Sequence, residues 1–308
     1  MLPTGYVVQQ VFNALVVGSF YSLLAVSYAL VHGLTNRIVL SFGDMAMFCA
    51  FSSLYAALAA LTLGVHTAAV LAAGLAGSTL SAAALGLFSL KAVFAPLIPG
   101  RSQTLLIASA SLGIVLQETM RLQSGGREQW LEPILGDAAI EGMAGGFMIR
   151  ISAIQMLIIG GTAAFLLAMS GALRWTKLGR LWRACSEDAP LARLIGIDVG
   201  KVTSLTFVVA AVYAGAAGFT LAIYYGGVSF YMGLMLGLKA LFASIIGGFG
   251  TIGGAIAGAF VLAFLETGWA AFFPLGYRDV AVFAIVLSLL IIRPEGLLGV
   301  RIRKDYER

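Results

Sequence analysis

The sequence predicts an all-α, polytopic membrane protein with about eight or nine transmembrane helices and one polar helical excursion. Three observations carry this. The 308 residues are 60% hydrophobic and only 11% charged. Their mean hydropathy is +0.97, outside the range of soluble globular chains. Apolar runs of about 18 to 25 residues, enough to cross a roughly 30 Å hydrocarbon core, recur along the whole chain.

These runs lie near 8–33, 44–63, 67–90, 104–123, 151–173, 202–225, 252–273 and 279–293, with a short ninth at 234–247. They leave no room for a separate soluble domain, so 1–308 reads as one transmembrane domain. The first basic residue is Arg37, so no charged region precedes the first run as in a signal peptide, and that run is expected to stay as a helix. Two cysteines, Cys49 and Cys185, are too few for a disulfide framework and are expected unpaired.

Orientation follows from Lys and Arg. If the 174–201 loop is cytoplasmic, the 91–103 loop, the turn at Arg37 and the tail from Arg293 to Arg308 are cytoplasmic too, with 234–247 counted as a span. Fourteen of the nineteen basic residues are then inside, four outside, and Lys239 lies within a span. The N-terminus and the 124–150 loop, which carries Glu128, Glu132, Asp137 and Glu141, are outside. The net charge of +5 is explained by these basic cytoplasmic loops and needs no nucleic acid.

Three interruptions break the apolar pattern. At 34–44, LTNRIVLSFGD, Arg37, Ser41, Phe42, Gly43 and Asp44 stand between two runs. The segment reads either as a cytoplasmic turn with Asp44 near a helix N-cap or as a broken helix lining a pathway. At 247–258, GGFGTIGGAIAG holds six glycines in twelve residues. Its Gly248-x-Gly250-x-x-Gly253 lacks the βαβ setting of a dinucleotide fingerprint. Gly250, Gly254 and Gly258 at four-residue spacing instead predict close helix packing after a turn at 247–251.

The third interruption, 174–201, gathers nine of the 33 charged residues, six basic and three acidic. Burying nine charges at a cost of about 2.5–3.5 kcal/mol each is prohibitive, so the segment lies outside the hydrocarbon. Asp188 or Ala189 is expected to cap a short helix with Pro190 in its first turn and Gly196 closing it. Ala189, Ala192 and Ile195 would share a small apolar face.

Catalytic and metal motifs are missing. Gly200-Lys201 lacks the rest of a phosphate-binding loop, His32 and His66 are isolated, and neither G-x-G-D nor G-x-S-x-G occurs. The chain is expected to be no enzyme and to hold no metal or cofactor. Lys239 and Glu266, charged residues inside apolar runs, are candidates for a substrate contact or for an ion pair between neighbouring helices.

Motifs in fixed order resemble the integral membrane permease of branched-chain amino acid ABC importers, the Liv-type family, in its smaller form. The first helix carries Asn13, Gly18, Ser19, Tyr21, Ala25, Tyr28 and Gly33. The polar stretch carries Gly179, Arg180, Arg183, Ala184, Cys185, Glu187, Asp188, Leu194, Gly196 and Ile197. Leu205-Thr206-Phe207, Ala217-Gly218, Met235, Lys239-Ala240, Gly247-Gly248, Gly250, Gly253, Pro294, Gly296, Leu298 and Gly299 follow in register.

The resemblance implies a subunit of the bacterial inner membrane that pairs with a second, related permease. Two cytoplasmic ATPase subunits would bind the ATP and Mg, and a periplasmic binding protein would deliver the solute. The polar stretch would be a coupling helix, with Arg183, Glu187, Asp188, Ala189, Ala192 and Gly196 meeting the ATPase. Asn13, Ser19, Tyr21, Ser41, Phe42, Gly43, Asp44 and Lys239 would be pathway candidates. One departure stands out: Val39 and Phe42 replace the Asn and His of the family's Asn-x-x-His-Gly-acidic segment. Systems that look similar carry urea, short amides or aromatic acids, so the resemblance implies a branched-chain amino acid or one of these small solutes. The competing reading is a stand-alone secondary transporter or channel, for which no inverted repeat or carboxylate relay is visible.

Overall fold

The computed structural model describes residues 4–98, 100–131, 138–144, 147–293 and 296–298. Among these, eight helices are long and apolar enough to cross a membrane, and a ninth apolar helix is shorter. The chain is thus an all-α polytopic membrane protein with eight full spans. Glu132, Asp137, Pro294, Gly299 and the basic tail beyond it lie outside the described residues.

Helix α1 (Thr4–Thr35) is the axis, buried almost continuously from Ala14 to Val31. Being apolar on every side, it is surrounded by other helices rather than presenting one face to them. α2 (Phe42–Thr62), α8 (Val199–Tyr225), α9 (Met232–Gly248) and α10 (Ile252–Phe272) complete the core with it. α3 (Thr67–Ser89, continued by a π-turn to Phe94), α4 (Ser102–Gln123), α5 (Ala153–Trp175) and α11 (Arg278–Ile292) form the rim. Their outward residues, among them Leu80, Ile107, Leu167 and Ile291, are exposed and apolar, the surface expected to meet lipid.

The 124–150 loop adds β structure that the apolar pattern does not announce. β1 (Gln129–Trp130) pairs antiparallel with β4 (Gly227–Val228). β2 (Ala138–Ala144) and β3 (Phe147–Ser152) form a hairpin. The hairpin feeds α5 through a capping box: Ser152 Oγ accepts from Ile154 N, and Gln155 Oε1 accepts from Ser152 N at 3.1 Å.

The polar stretch folds as two short helices, α6 (Lys177–Glu187) and α7 (Ala189–Leu194). Thr176 caps α6, and Asp188 caps α7 by accepting from Leu191 N at 2.9 Å. Gly196, at φ 86°, ends the pair in the left-handed conformation that favours glycine. Asp198 then starts α8 by accepting from Lys201 N at 3.0 Å; that bond and the Lys201 ammonium at 3.1 Å hold its carboxyl below the usual carboxylate range.

Two interruptions take shapes that sequence only framed. After α1 the chain does not simply turn. It runs back along α1, so that Leu40 O accepts from Tyr28 Oη at 3.2 Å and Leu40 N donates to Ser109 Oγ of α4 at 3.0 Å. α2 therefore begins inside the bundle, with Ser41 at its N-cap and Asp44 in its first turn. Such irregular backbone persists at depth because protein groups satisfy it.

At the other interruption α9 ends at Gly248, and Phe249–Thr251 turns into α10. Gly250 adopts φ 89° in that turn, so it lies outside the helix that its spacing suggested. Gly254 and Gly258 lie against α9: a side chain on Gly254 would strike the backbone of Gly247, and one on Gly258 the backbone of Ala243 and Gly247. Leu297 N and Leu298 N cap the same region, donating to Ile246 O and Gly247 O at 2.6 and 2.9 Å.

Candidate functional site

Four helices meet at one buried ionic hub. Glu266 of α10 is the centre: Oε2 accepts from Tyr21 Oη of α1 at 2.7 Å, and Oε1 accepts from Lys239 Nζ of α9 at 2.8 Å. Lys239 Nζ also lies 2.8 Å from Asp279 Oδ1 of α11. Arg278 Nε stands 3.3 Å from Glu266 and 3.5 Å from Asp279. The side chains of Lys239 and Glu266 are only 8% exposed. Two cations face two anions, so the hub is neutral. That balance is what lets the Lys239 and Glu266 side chains stay buried within the helix bundle.

The hub is the floor of a cavity of about 370 Å³, within the range of small-molecule sites. Tyr21, Lys239, Glu266 and Arg278 supply its polar end. Phe20, Leu221, Met232, Met235 and Leu236 supply apolar wall, and Glu128 and Trp130 stand on the side of the β1–β4 ladder. Gly226, at φ 66°, turns the chain out of α8 so that β4 can hold Trp130 beside the cavity.

A second polar group lies where α2 begins. Asp44 is 7% exposed and has no cationic partner among the described residues. Its carboxylate fits against Gly113, halfway along α4, and Gly233, in the first turn of α9. Gly43 packs backbone to backbone with Gly237, and Phe42 meets Tyr28 edge-on at 5.5 Å. The Ser41 hydroxyl is buried without a hydrogen-bond partner.

The structure thus splits the pathway candidates into groups. Tyr21 and Lys239 share the hub, while Ser41, Phe42, Gly43 and Asp44 form the second cluster. Asn13 stands apart, bonded to Gln10 at 3.3 Å and Gln155 at 3.4 Å. The Ser19 hydroxyl bonds the Leu15 carbonyl of its own helix at 2.8 Å. Of the two roles open to Lys239 and Glu266, the ion pair is present, and the pair also borders the cavity.

Sequence reasoning missed Arg278 and Asp279, which it left at the boundary of an outer loop. A signal existed: two adjacent opposite charges, Arg278 and Asp279, open the last apolar run, in a chain with two more charges inside earlier runs.

On the polar stretch, the shared face of Ala189, Ala192 and Ile195 does not form. Ala192 is 2% exposed, packed on Cys185 and Val199, because α7 folds back onto α6 and the start of α8. The exposed large apolar residues of α7 and its C-cap are Leu191, Leu194 and Ile195, with Leu194 83% exposed. Arg183 bonds the Leu173 carbonyl, bracing α6 on the end of α5. Glu187 and Asp188 are exposed at the α6–α7 joint. Cys49 and Cys185 are both free and buried. Among the described residues no three His, Cys, Asp or Glu side chains gather as metal ligands.

An apolar helical bundle enclosing a small cavity with a charge-balanced floor is built to pass a solute through a membrane, and the class it defines is the transport permease. The chain belongs to the family described as branched-chain amino acid transport system / permease component, whose model matches residues 10–292. It is 33% identical to the high-affinity branched-chain amino acid transport system permease protein LivH of Escherichia coli strain K12, over 96% of each chain. The same identity and coverage hold for LivH of Salmonella typhimurium. BraD of Pseudomonas aeruginosa is 30% identical over 94% of this chain and 95% of its own length. The protein is therefore the multi-pass inner-membrane permease component of an ABC-type importer, a subunit that is not itself catalytic.

Proposed function

We propose that residues 1–308 form one transmembrane permease domain that imports branched-chain amino acids or a related small solute. The cavity between the β1–β4 ladder and the ionic hub is the single observation that carries this reading, together with the near full-length likeness to permeases of that name. The cavity mouth faces the periplasm, where a substrate-binding protein delivers solute, and the basic tail lies in the cytoplasm. The distribution of Lys and Arg supports this orientation.

A second, related permease completes the pathway, and two cytoplasmic ATPase subunits hold ATP and Mg. In this reading α6 and α7 are the coupling element. The exposed Leu191, Leu194 and Ile195 enter a groove of the ATPase, while Arg183 and the Asp188 cap keep the element rigid enough to transmit its motion. Inside the membrane the Asp44 cluster lies along the pathway. The glycine contacts of α2, α4 and α9 there let helices shift without side chains colliding.

The test is reconstitution. ATP-dependent uptake of labelled leucine is expected from this chain assembled with its partner permease, ATPase and binding protein, and none from the chain alone. Uptake by the chain alone, without ATP, would instead make it a carrier or channel.

A further inference from the structure

The four charged groups of the hub are not equally occupied. Lys239 donates to Glu266 Oε1 at 2.8 Å, stands 2.8 Å from Asp279 Oδ1 and is 8% exposed, so it is held within the hub. Arg278 is different. Its nearest approaches, 3.3 and 3.5 Å, are longer than an ordinary charge-assisted hydrogen bond, and they are made through Nε. Its guanidinium forms no hydrogen bond among the described residues, and its Nε is buried without a partner. Arg278 lines the cavity, with its side chain 38% exposed. A planar donor fork thus faces a small space whose other walls are largely apolar.

We infer that Arg278 reads the solute, its guanidinium binding the carboxylate of a small molecule with an apolar body and releasing its loose contacts with Glu266 and Asp279. This deepens the import reading and rests on it. A carboxylate matches the fork with two parallel bonds, whereas a neutral amide offers one acceptor and turns an N–H toward a donor. The apolar body lies along Phe20, Leu221 and Met235. A solute carrying an ammonium group as well adds no net charge to the cavity, and Glu128 on the same lining suits that ammonium. Solutes without a carboxylate, urea and simple amides among them, are bound poorly.

The test places a reporter on the cavity wall. Ser229→Cys lines the cavity, and the native Cys49 and Cys185 are buried, so maleimide labelling of this chain, separated from its partners on a gel, reports position 229. The assembled complex in nanodiscs is titrated with 4-methylpentanoate and, separately, with 4-methylpentanamide. The carboxylate is expected to protect the cysteine at a concentration at least about tenfold below the amide, the size of one charged hydrogen bond. Arg278→Lys keeps the charge and loses the fork, and it should raise the protecting concentration of the carboxylate about tenfold, measured against the variant's own labelling rate without ligand.

Equal protection by acid and amide, or wild-type protection in Arg278→Lys, overturns the inference. Should that variant fail to assemble, the acid–amide comparison on the wild-type background decides alone. ATP-driven uptake by the same complex separates the two levels. Uptake that prefers the amide sinks the role of Arg278 only, whereas no ATP-coupled uptake of either compound sinks the import reading.

Discussion

Glu266→Gln removes the centre of the hub while nearly preserving its shape. In the native protein Glu266 holds Tyr21 at 2.7 Å, Lys239 at 2.8 Å and Arg278 at 3.3 Å. Removing one partner of a buried pair typically costs about 3–5 kcal/mol, because the other charge is left in a poor solvent. Two features lower that figure here. Lys239 retains Asp279 at 2.8 Å, and a glutamine oxygen still accepts one bond. The expected loss is therefore about 2–3 kcal/mol, and adding Lys239→Met should cost less than the sum of the single changes by roughly 1–2 kcal/mol. The exposed Glu141–Arg150 pair at 3.4 Å serves as control, since Glu141→Gln should cost only about 0–1 kcal/mol. Unfolding titrated with SDS in mixed micelles measures the wild type and the four variants. A Glu266→Gln variant as stable as the Glu141→Gln control, or strictly additive single changes, would refute the hub as a coupled unit.

The other predictions test packing, docking and topology. Gly258→Val puts a side chain into the α9 backbone and should destabilise by at least about 1–3 kcal/mol in the same titration, whereas Gly253→Ala, with open space around it, should be nearly neutral. Leu194→Glu changes an exposed residue of α7 and should leave the purified chain as stable as wild type but free of ATPase subunits. Ala192→Trp should instead lower stability, because that position is filled by Cys185 and Val199, and equal stability would contradict the burial. Arg127→Cys should react with an impermeant maleimide in intact cells and Arg193→Cys should not; labelling at 193 would invert the proposed orientation. Burial pushes the Cys185 thiol above its ordinary pKa, so its alkylation near pH 8 should be far slower than that of a cysteine placed at Leu194.

Much of this protein is local and additive, and so stands in the sequence. Hydrophobic length makes a span, and summing over about twenty residues leaves little ambiguity, so eight long helices and a short ninth at Met232–Gly248 follow from composition alone. Caps are local too: Asp188 before Pro190, with Gly196 after, marks α7 because the bonds involved join residues three or four apart.

What distant segments do to one another was decided only in three dimensions. Whether 34–44 was a turn or a returning segment depended on Ser109 and Tyr28, which satisfy Leu40 from two other places in the chain. The small face on α7 was lost because helical spacing says which residues align and not which side of the helix meets protein. The fold-back onto Cys185 and Val199 settled that side. The ladder of Gln129–Trp130 with Gly227–Val228 joins segments about a hundred residues apart, beyond any local pattern. The hub shows the division most clearly. Each charge is visible in the sequence as an anomaly in or beside an apolar run, yet its meaning is its partners, and Coulomb interaction depends on separation in space rather than along the chain. Folding brings Tyr21, Lys239, Glu266, Arg278 and Asp279 from four helices to one point.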